Sequence, residues 1–255
     1  MANWAYEYYY KQLCPDDQLI YRQFFEKWKK FETEIRFKAS VYHKESFSRI
    51  ADYLLCDHVD LFWIDAYYMK TERKGDEIIV TVPLFFTRDE SKMYIKRLRA
   101  WRHNIVTGID PSLSNKEKVY LLFDFIERRS TYGKEARKFS QTIVGACRLD
   151  NEVTVCVGFA KCIKYVCDLM NIPCIVVVKG YANFGPNSQG AHAWNIVEIE
   201  DGCRHIDGVR YLTSSKRNGR LIGQYLFTDA EVLAPRPHNQ KPLYKWDQSI
   251  SPKCI

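Results

Sequence analysis

The chain has 255 residues, of which 46% are hydrophobic and 15% aromatic, so it can bury one large core or two small ones. Its formal net charge is +7, but 38 Lys and Arg residues are scattered among 31 acidic ones, and no run of five basic residues occurs. This pattern is typical of a solvated surface, so we expect no nucleic-acid partner, and the absence of a long apolar run predicts no membrane partner.

Helices and a hairpin are predicted for the first part of the chain. Hydrophobic side chains recur at helical spacing and predict a long amphipathic helix over residues 16–37 and a shorter one over residues 46–56. Two segments rich in β-branched and aromatic residues, 61–69 and 77–86, flank a turn that contains Gly75. This arrangement predicts a β-hairpin.

A domain boundary is predicted just after the next helical segment. Helical spacing returns over residues 89–106, and Gly108 and Pro111 follow it in a short polar stretch. We therefore expect an N-terminal helical region with a β-hairpin over residues 1–110 and a second domain over residues 111–255.

Two helices of the second domain have recognisable starts or stops. Ser114 and Glu117 have the spacing of a capping box, which predicts a helix that continues to about residue 130. Another helix is predicted to begin near Cys156, and Pro173 limits it at the other end.

Strands are predicted to follow this helix. Residues 174–179 form an apolar strand, and residues 180–190, with three Gly and one Pro, are expected to be a loop. Residues 191–200 and 203–211 are predicted to be two strands of a hairpin, joined by a turn at Asp201-Gly202.

The cysteines give no sign of a metal site or of disulfides. No Cys-x-x-Cys pair occurs among the nine cysteines, and their spacings do not match common zinc patterns, so we expect no metal and no cofactor. The first ten residues lack the basic start and apolar stretch of a signal peptide. We therefore expect a cytoplasmic protein with mostly buried, reduced thiols.

Cys156 is the strongest candidate for chemistry because it lies at a predicted helix start. The partial positive charge of a helix N-terminus favours the thiolate, and the Cys156 amide is a natural donor to an oxyanion. Gly158 removes a side chain nearby, which could let a substrate backbone approach. The alternative is that Cys156 is one more buried structural thiol.

His192 and Asp207 are the candidate partners of Cys156. His192 has small alanine neighbours and precedes Trp194, which could shield a site from water, so it is the candidate general base. Asp207 would orient the imidazole. His205 shares a strand face with Asp207 and is the alternative imidazole.

The predicted hairpin leaves His192 and Asp207 far apart. A two-residue turn at Asp201-Gly202 would pair residue 196 with Asp207, four residues from His192. At about 3.3 Å per residue this offset is about 13 Å, too far for a hydrogen bond. A bulge, a longer turn or strong twist would be needed to bring the two side chains together.

The chain resembles the transglutaminase-like superfamily. The resemblance is carried, over about residues 132–207, by Val155-Cys156-Val157-Gly158-Phe159-Ala160, His192-Ala193-Trp194-Asn195 and His205-Ile206-Asp207. Bacterial members of that superfamily carry a Cys-x-Gly-Tyr-Ala helix start, a His-Ala-Trp-Asn strand and a terminal Asp strand. Two departures are Phe159 in place of the usual Tyr and the Gly208-Val209-Arg210 sequence after Asp207.

The resemblance implies a fold and a mechanism. The fold would be α+β with a papain-like core, in which a catalytic helix packs on an antiparallel sheet. Cys156 would be the nucleophile, His192 the base and Asp207 its orienter. The reaction would be acyl transfer on amide bonds of a protein or peptide through a thioester, ending in hydrolysis or in transamidation.

The substrate-binding residues and one other function are also expectations from the sequence. We expect Gly158, Trp194 and Asn195 to bind the substrate. The alternative function is a catalytically inert binding module on the same fold.

Overall fold

The structure is a computed structural model that describes most of the chain. The described residues are 3–41, 43, 45–133, 136–147, 149, 153–177, 179–185, 188–210, 226–236 and 240–255, without the side chains of 127–129, 184, 185, 188 and 189. They combine helices with antiparallel strands, so the predicted α+β class is confirmed.

The chain divides into two compact units. One unit is formed by residues 7–96, and the other by residues 97–255 together with the start of the chain up to Tyr6. The division falls inside the helix α3 (Arg88–Thr107), whereas the sequence predicted a domain boundary after residue 110.

Among its described residues, the unit of residues 7–96 contains two complete α-helices, the first part of a third and one sheet. Its elements are α1 (Pro15–Lys29), β1 (Glu34–Lys38), α2 (Phe47–Asp57), β2 (Lys70–Lys74), β3 (Glu77–Thr81) and the first part of α3 (Arg88–Thr107). The strands form an antiparallel sheet in the order β1-β3-β2. β2 and β3 form a hairpin around Gly75, at the predicted turn.

Two boundaries in this unit differ from the sequence prediction. The first helix ends at Lys29 instead of residue 37, since Phe31 adopts a positive φ of 64° and residues 34–38 alternate between exposed and buried as strand β1. The first hairpin strand is β2 instead of residues 61–69. All residues of β2 are exposed, so no hydrophobic alternation marks it in the sequence.

Among the described residues, the other unit contains the rest of α3, a helical turn at residues 208–210 and further helices. The further helices are α4 (Asn115–Arg129), α5 (Arg137–Ser140), α6 (Ile143–Ala146), α7 (Cys156–Leu169) and α8 (Asp229–Leu233). The predicted capping box at the start of α4 is formed, with Ser114 accepting from the Glu117 amide and the Glu117 side chain accepting from the Ser114 amide. The predicted helix start at Cys156 is confirmed.

The described part of this unit also contains two antiparallel sheets of three strands each. One has the order β4-β7-β8 and the other β6-β5-β9. The strands are β4 (Cys174–Val176), β5 (Gly180–Gly185), β6 (Ser188–His192), β7 (Asn195–Ile199), β8 (Gly202–Ile206) and β9 (Tyr244–Lys245). Helix α7 packs against β4 and β7 and buries Phe159, Ile163 and Val166.

Three strand predictions in this unit need correction. Residues 180–190 are not a loop, because β5 and β6 pair with each other and β5 also pairs with β9. Residues 191–200 are not one strand, because the chain leaves one sheet at His192 and joins the other at Asn195. The last strand ends at Ile206, and Tyr211 lies outside the described residues.

Candidate active site

Cys156 is the first residue of α7. The preceding residue, Val155, is extended and caps the helix, and its amide donates to the Ser140 carbonyl at 2.9 Å. The Thr154 hydroxyl donates to the same carbonyl at 3.0 Å. These two bonds fix the path of the backbone as it enters α7. The half-buried Cys156 side chain therefore lies at the N-terminal end of this helix, where the helix dipole is positive.

The Cys156 sulfur has two hydrogen-bonding partners. They are the His192 imidazole and the backbone N–H of Ala193. Burial alone would raise the pKa of Cys156, but these two partners and the charge of His192 outweigh it and lower that pKa. The environment therefore favours the nucleophilic thiolate form.

His192 connects Cys156 to Asp207. Its Nε2 donates to Asp207 Oδ2 at 2.8 Å, which leaves Nδ1 as the ring nitrogen for the sulfur. Burial opposes protonation of His192, but the hydrogen bonds and charges of Asp207 and Cys156 raise its pKa to about 10. The imidazole is thus favoured as the cation beside a thiolate.

The His192–Asp207 contact depends on a strand register that the sequence did not predict. Ile199 pairs with Gly202 and Asn195 with Ile206, so the turn is formed by residues 200 and 201 instead of Asp201-Gly202. His192 ends β6, in the other sheet, and Asp207 directly follows β8. The break between β6 and β7 therefore closes the expected gap of about 13 Å.

Asp207 is buried and accepts four hydrogen bonds. Its Oδ1 accepts from the amides of Val209 at 3.0 Å and Arg210 at 3.3 Å, at the start of a short helical turn. Its Oδ2 accepts from His192 and, at 2.7 Å, from the Tyr244 hydroxyl. Burial would raise the pKa of Asp207, but these donors lower it, so the carboxylate stays charged.

Tyr244 is a site residue that the sequence analysis missed. It lies on β9, its ring stacks on Trp194 with 4.3 Å between centroids, and its hydroxyl holds the Asp207 carboxylate. Arg210 hydrogen-bonds to that hydroxyl. Because Arg can only donate, the Tyr244 oxygen accepts from Arg210 and its own proton is directed to Asp207. No local sequence pattern marks a partner 37 residues after Asp207.

His205, the alternative imidazole, has other partners. It is fully buried, its Nδ1 accepts from Trp194 Nε1 at 2.9 Å, and its Nε2 donates to Asp229 Oδ1 at 2.8 Å. Burial lowers the pKa of His205. Both ring nitrogens are thus engaged away from Cys156, so the structure brings His192 and not His205 to the thiol.

The predicted substrate-binding residues are buried, and their placement does not support that role. A Cβ on Gly158 would collide with Thr154 Oγ1 and lie 2.6 Å from the Ser140 carbonyl oxygen, so the glycine permits close helix packing. Trp194 is buried behind His192, with 6.1 Å between the ring centroids. Asn195 is fully buried on β7.

Asn195 joins α7 to the sheet. Its Nδ2 donates to the carbonyl of Ala160 on α7 at 2.9 Å and to that of Ile175 on β4 at 3.1 Å. These bonds hold the helix that carries Cys156 at a fixed position relative to β4 and β7.

One group of side chains has the composition of a metal site. His205, Asp229 and Cys254 place their ligand atoms within 4.8 Å of one another. However, the indole N–H of Trp194 can only donate, so Nδ1 of His205 is an acceptor and Nε2 carries the proton. A metal at Nε2 would need an imidazolate, so this hydrogen-bond pattern does not fit metal binding.

The arrangement joins a thiol, an imidazole and a carboxylate in one hydrogen-bonded series. Chemically, such a series can ionise the thiol, protonate a leaving group and hold the imidazolium.

Comparison of the chain with models of known protein families found no match, and comparison with curated protein sequences found none either. Within the described residues, no helix combines the length and apolar character needed to cross a membrane.

Proposed function

We propose that this protein catalyses acyl transfer on amide bonds of a protein or peptide, with Cys156 as nucleophile, His192 as general acid and base, and Asp207 as the residue that orients His192. The observation that carries the proposal is the continuous hydrogen bonding from the Cys156 sulfur through His192 to Asp207. A cytoplasmic location and a protein or peptide substrate belong to the same proposal.

The reaction would proceed in two stages. The Cys156 thiolate attacks the amide carbonyl and forms a C–S bond, while the carbonyl oxygen takes the negative charge. Collapse of this intermediate breaks the C–N bond, His192 gives its proton to the leaving amine, and a thioester remains. Water or a second amine, deprotonated by His192, then attacks the thioester carbonyl, the C–S bond breaks, and the Cys156 thiolate and the His192 imidazolium are restored.

The fold proposed for residues 111–255 is the papain-like core of the transglutaminase-like superfamily. The packing of α7 on β4 and β7 supports it, because this places the nucleophile at the N-terminal end of a helix lying on an antiparallel sheet. The positions of His192 at the end of β6 and Asp207 after β8 support it as well.

The lowered pKa of Cys156 favours an enzyme over an inert binding module. Burial raises the pKa of a structural thiol, as it does for Cys254. Cys156 differs because His192 and the Ala193 amide stabilise its charge.

A trapping experiment tests the proposal. The protein is incubated with a glutamine-rich protein and a fluorescent primary amine, and both amine incorporation and release of ammonia or peptides are followed. Incorporation would indicate transamidation, and release without incorporation would indicate hydrolysis. Cys156→Ala should abolish either reaction; product formation that survives this substitution would refute the proposed nucleophile.

A further inference from the structure

Tyr132 lies beside the first turn of α7 and has no role in the triad. Its backbone forms a bridge with Thr154, two residues before Cys156. Its ring is parallel to that of Phe159, three residues after Cys156, with 6.4 Å between centroids and 6° between planes. The two contacts flank Cys156 along the chain, so the Tyr132 ring is held alongside the nucleophile.

The Tyr132 hydroxyl is available to a ligand. The side chain is 46% exposed, and its hydroxyl makes no hydrogen bond to any residue within the described ranges. Burial raises the pKa of Tyr132, and the charges of Cys156 and Asp207 raise it further, so the phenol lies near both charges and keeps its proton. A protonated phenol beside the first turn of α7 can donate a hydrogen bond.

The proposed reaction needs such a donor. Attack on a carbonyl creates an oxyanion, and enzymes stabilise it with fixed donors. The Cys156 amide, in the first turn of α7, has no acceptor within the helix and can serve as one. The Ala193 amide is already bonded to the sulfur. A second donor must therefore come from another neighbour of Cys156.

We propose that the Tyr132 hydroxyl donates a hydrogen bond to the oxyanion formed when Cys156 attacks a carbonyl. This inference rests on the proposed acyl-transfer function and adds a second oxyanion donor to the Cys156 amide. Tyr132 would then be a catalytic residue, since it would touch the reacting oxygen.

The rates of two reactions of Cys156 distinguish a residue that stabilises the oxyanion from one that acts on the thiol. With p-nitrophenyl acetate, the thiolate bonds to the acetyl carbon through a tetrahedral oxyanion, p-nitrophenolate leaves, and an acetyl thioester remains. With iodoacetamide, the thiolate displaces iodide in a single step, without an oxyanion. Tyr132→Phe keeps the ring and removes the hydroxyl. It should slow acylation about 100-fold or more, the usual effect of losing one oxyanion donor, and leave alkylation unchanged.

The control variant is Tyr6→Phe, at a tyrosine that is 61% exposed, and both rates should equal those of wild type. An unchanged acylation rate in Tyr132→Phe would overturn the inference while the proposed function stands. Equal slowing of both reactions would also overturn it, because Tyr132 would then act on the thiol. If wild type itself shows no acylation, the proposed function fails and the inference fails with it.

Discussion

At Cys156, burial and hydrogen bonding act on the thiol in opposite directions. Burial disfavours the thiolate, but the His192 imidazole and the Ala193 amide stabilise it, and the pKa of Cys156 is lowered. At His192, burial disfavours the cation, but Asp207 and Cys156 raise the pKa to about 10. Between these two pKa values, the stable form is a thiolate beside an imidazolium.

At the Asp207 carboxylate, we predict that the hydrogen bond from the Tyr244 hydroxyl contributes to folding stability. Tyr244→Phe should lower the free energy of unfolding by about 1.5–3 kcal/mol, the usual contribution of a hydrogen bond to a charged group. Phe keeps the stacking on Trp194 and removes only the hydroxyl, which donates to Asp207 and accepts from Arg210. Chemical denaturation would measure the change. A loss below about 0.5 kcal/mol, the range of ordinary surface substitutions, would contradict the assigned hydrogen bond.

Among the elements, helix starts are predictable from sequence and sheet pairing is not. The signals of a helix start are local, as in the Ser114-to-Glu117 capping box and the start at Cys156. Strands β5 and β6 are rich in Gly and polar residues, and they are formed by pairing with each other and with the distant β9. The triad residues could therefore be named from motifs, but their geometry could not.

Helix α7 depends on a glycine for its packing. A glycine-to-alanine substitution in an exposed helix usually stabilises a protein by roughly 0.5–1 kcal/mol. In Gly158→Ala, the added Cβ would meet Thr154 Oγ1 and the backbone of Ser140, and overpacking typically costs about 1–3 kcal/mol. We therefore expect a net loss of stability in thermal or chemical unfolding. A gain would show that the first turn of α7 has room, as the substrate-contact interpretation of Gly158 requires.

The group of His205, Asp229 and Cys254 joins β8, α8 and the end of the described chain by hydrogen bonds to both oxygens of the Asp229 carboxylate. Because Nε2 of His205 carries a proton, zinc added in stoichiometric amount should not raise the melting temperature. Differential scanning calorimetry with and without a chelator checks this. A zinc-dependent rise that His205→Gln abolishes would refute the assigned protonation state.

For the whole molecule, both ends of the described chain are attached to the sheet that precedes Asp207. Trp4 Nε1 donates to Glu198 on β7 at 2.7 Å, although the two residues are 194 positions apart. At the other end, Arg204 on β8 donates to the Ile255 carbonyl at 2.6 Å. The unit that holds the candidate site therefore includes the first described residues as well as the last.

The attachment of Trp4 can be measured by a double-mutant cycle. Trp4→Phe and Glu198→Ala should each destabilise the protein, and the double variant should be more stable than the sum of both losses predicts, by about 1 kcal/mol. Chemical denaturation of the four proteins gives this coupling energy. Strict additivity would show that the hydrogen bond contributes nothing to stability.

The rate at which iodoacetamide labels Cys156, measured against pH in wild type and in His192→Ala, tests the central claim most directly. In wild type, the lowered pKa should make Cys156 react faster at neutral pH than the buried thiols do. Above about pH 10, His192 loses its proton and with it the positive charge beside the thiolate. The rate at which iodoacetamide labels Cys156 should therefore change a second time in this range.

In His192→Ala, burial remains and the stabilising partner is gone, so the pKa of Cys156 should rise and labelling should require more alkaline solution. Mass spectrometry of all nine cysteines provides internal controls. An activated thiol in wild type that loses its reactivity in the variant is the result the account predicts. A Cys156 that follows the pH dependence of an ordinary thiol in both proteins would contradict it.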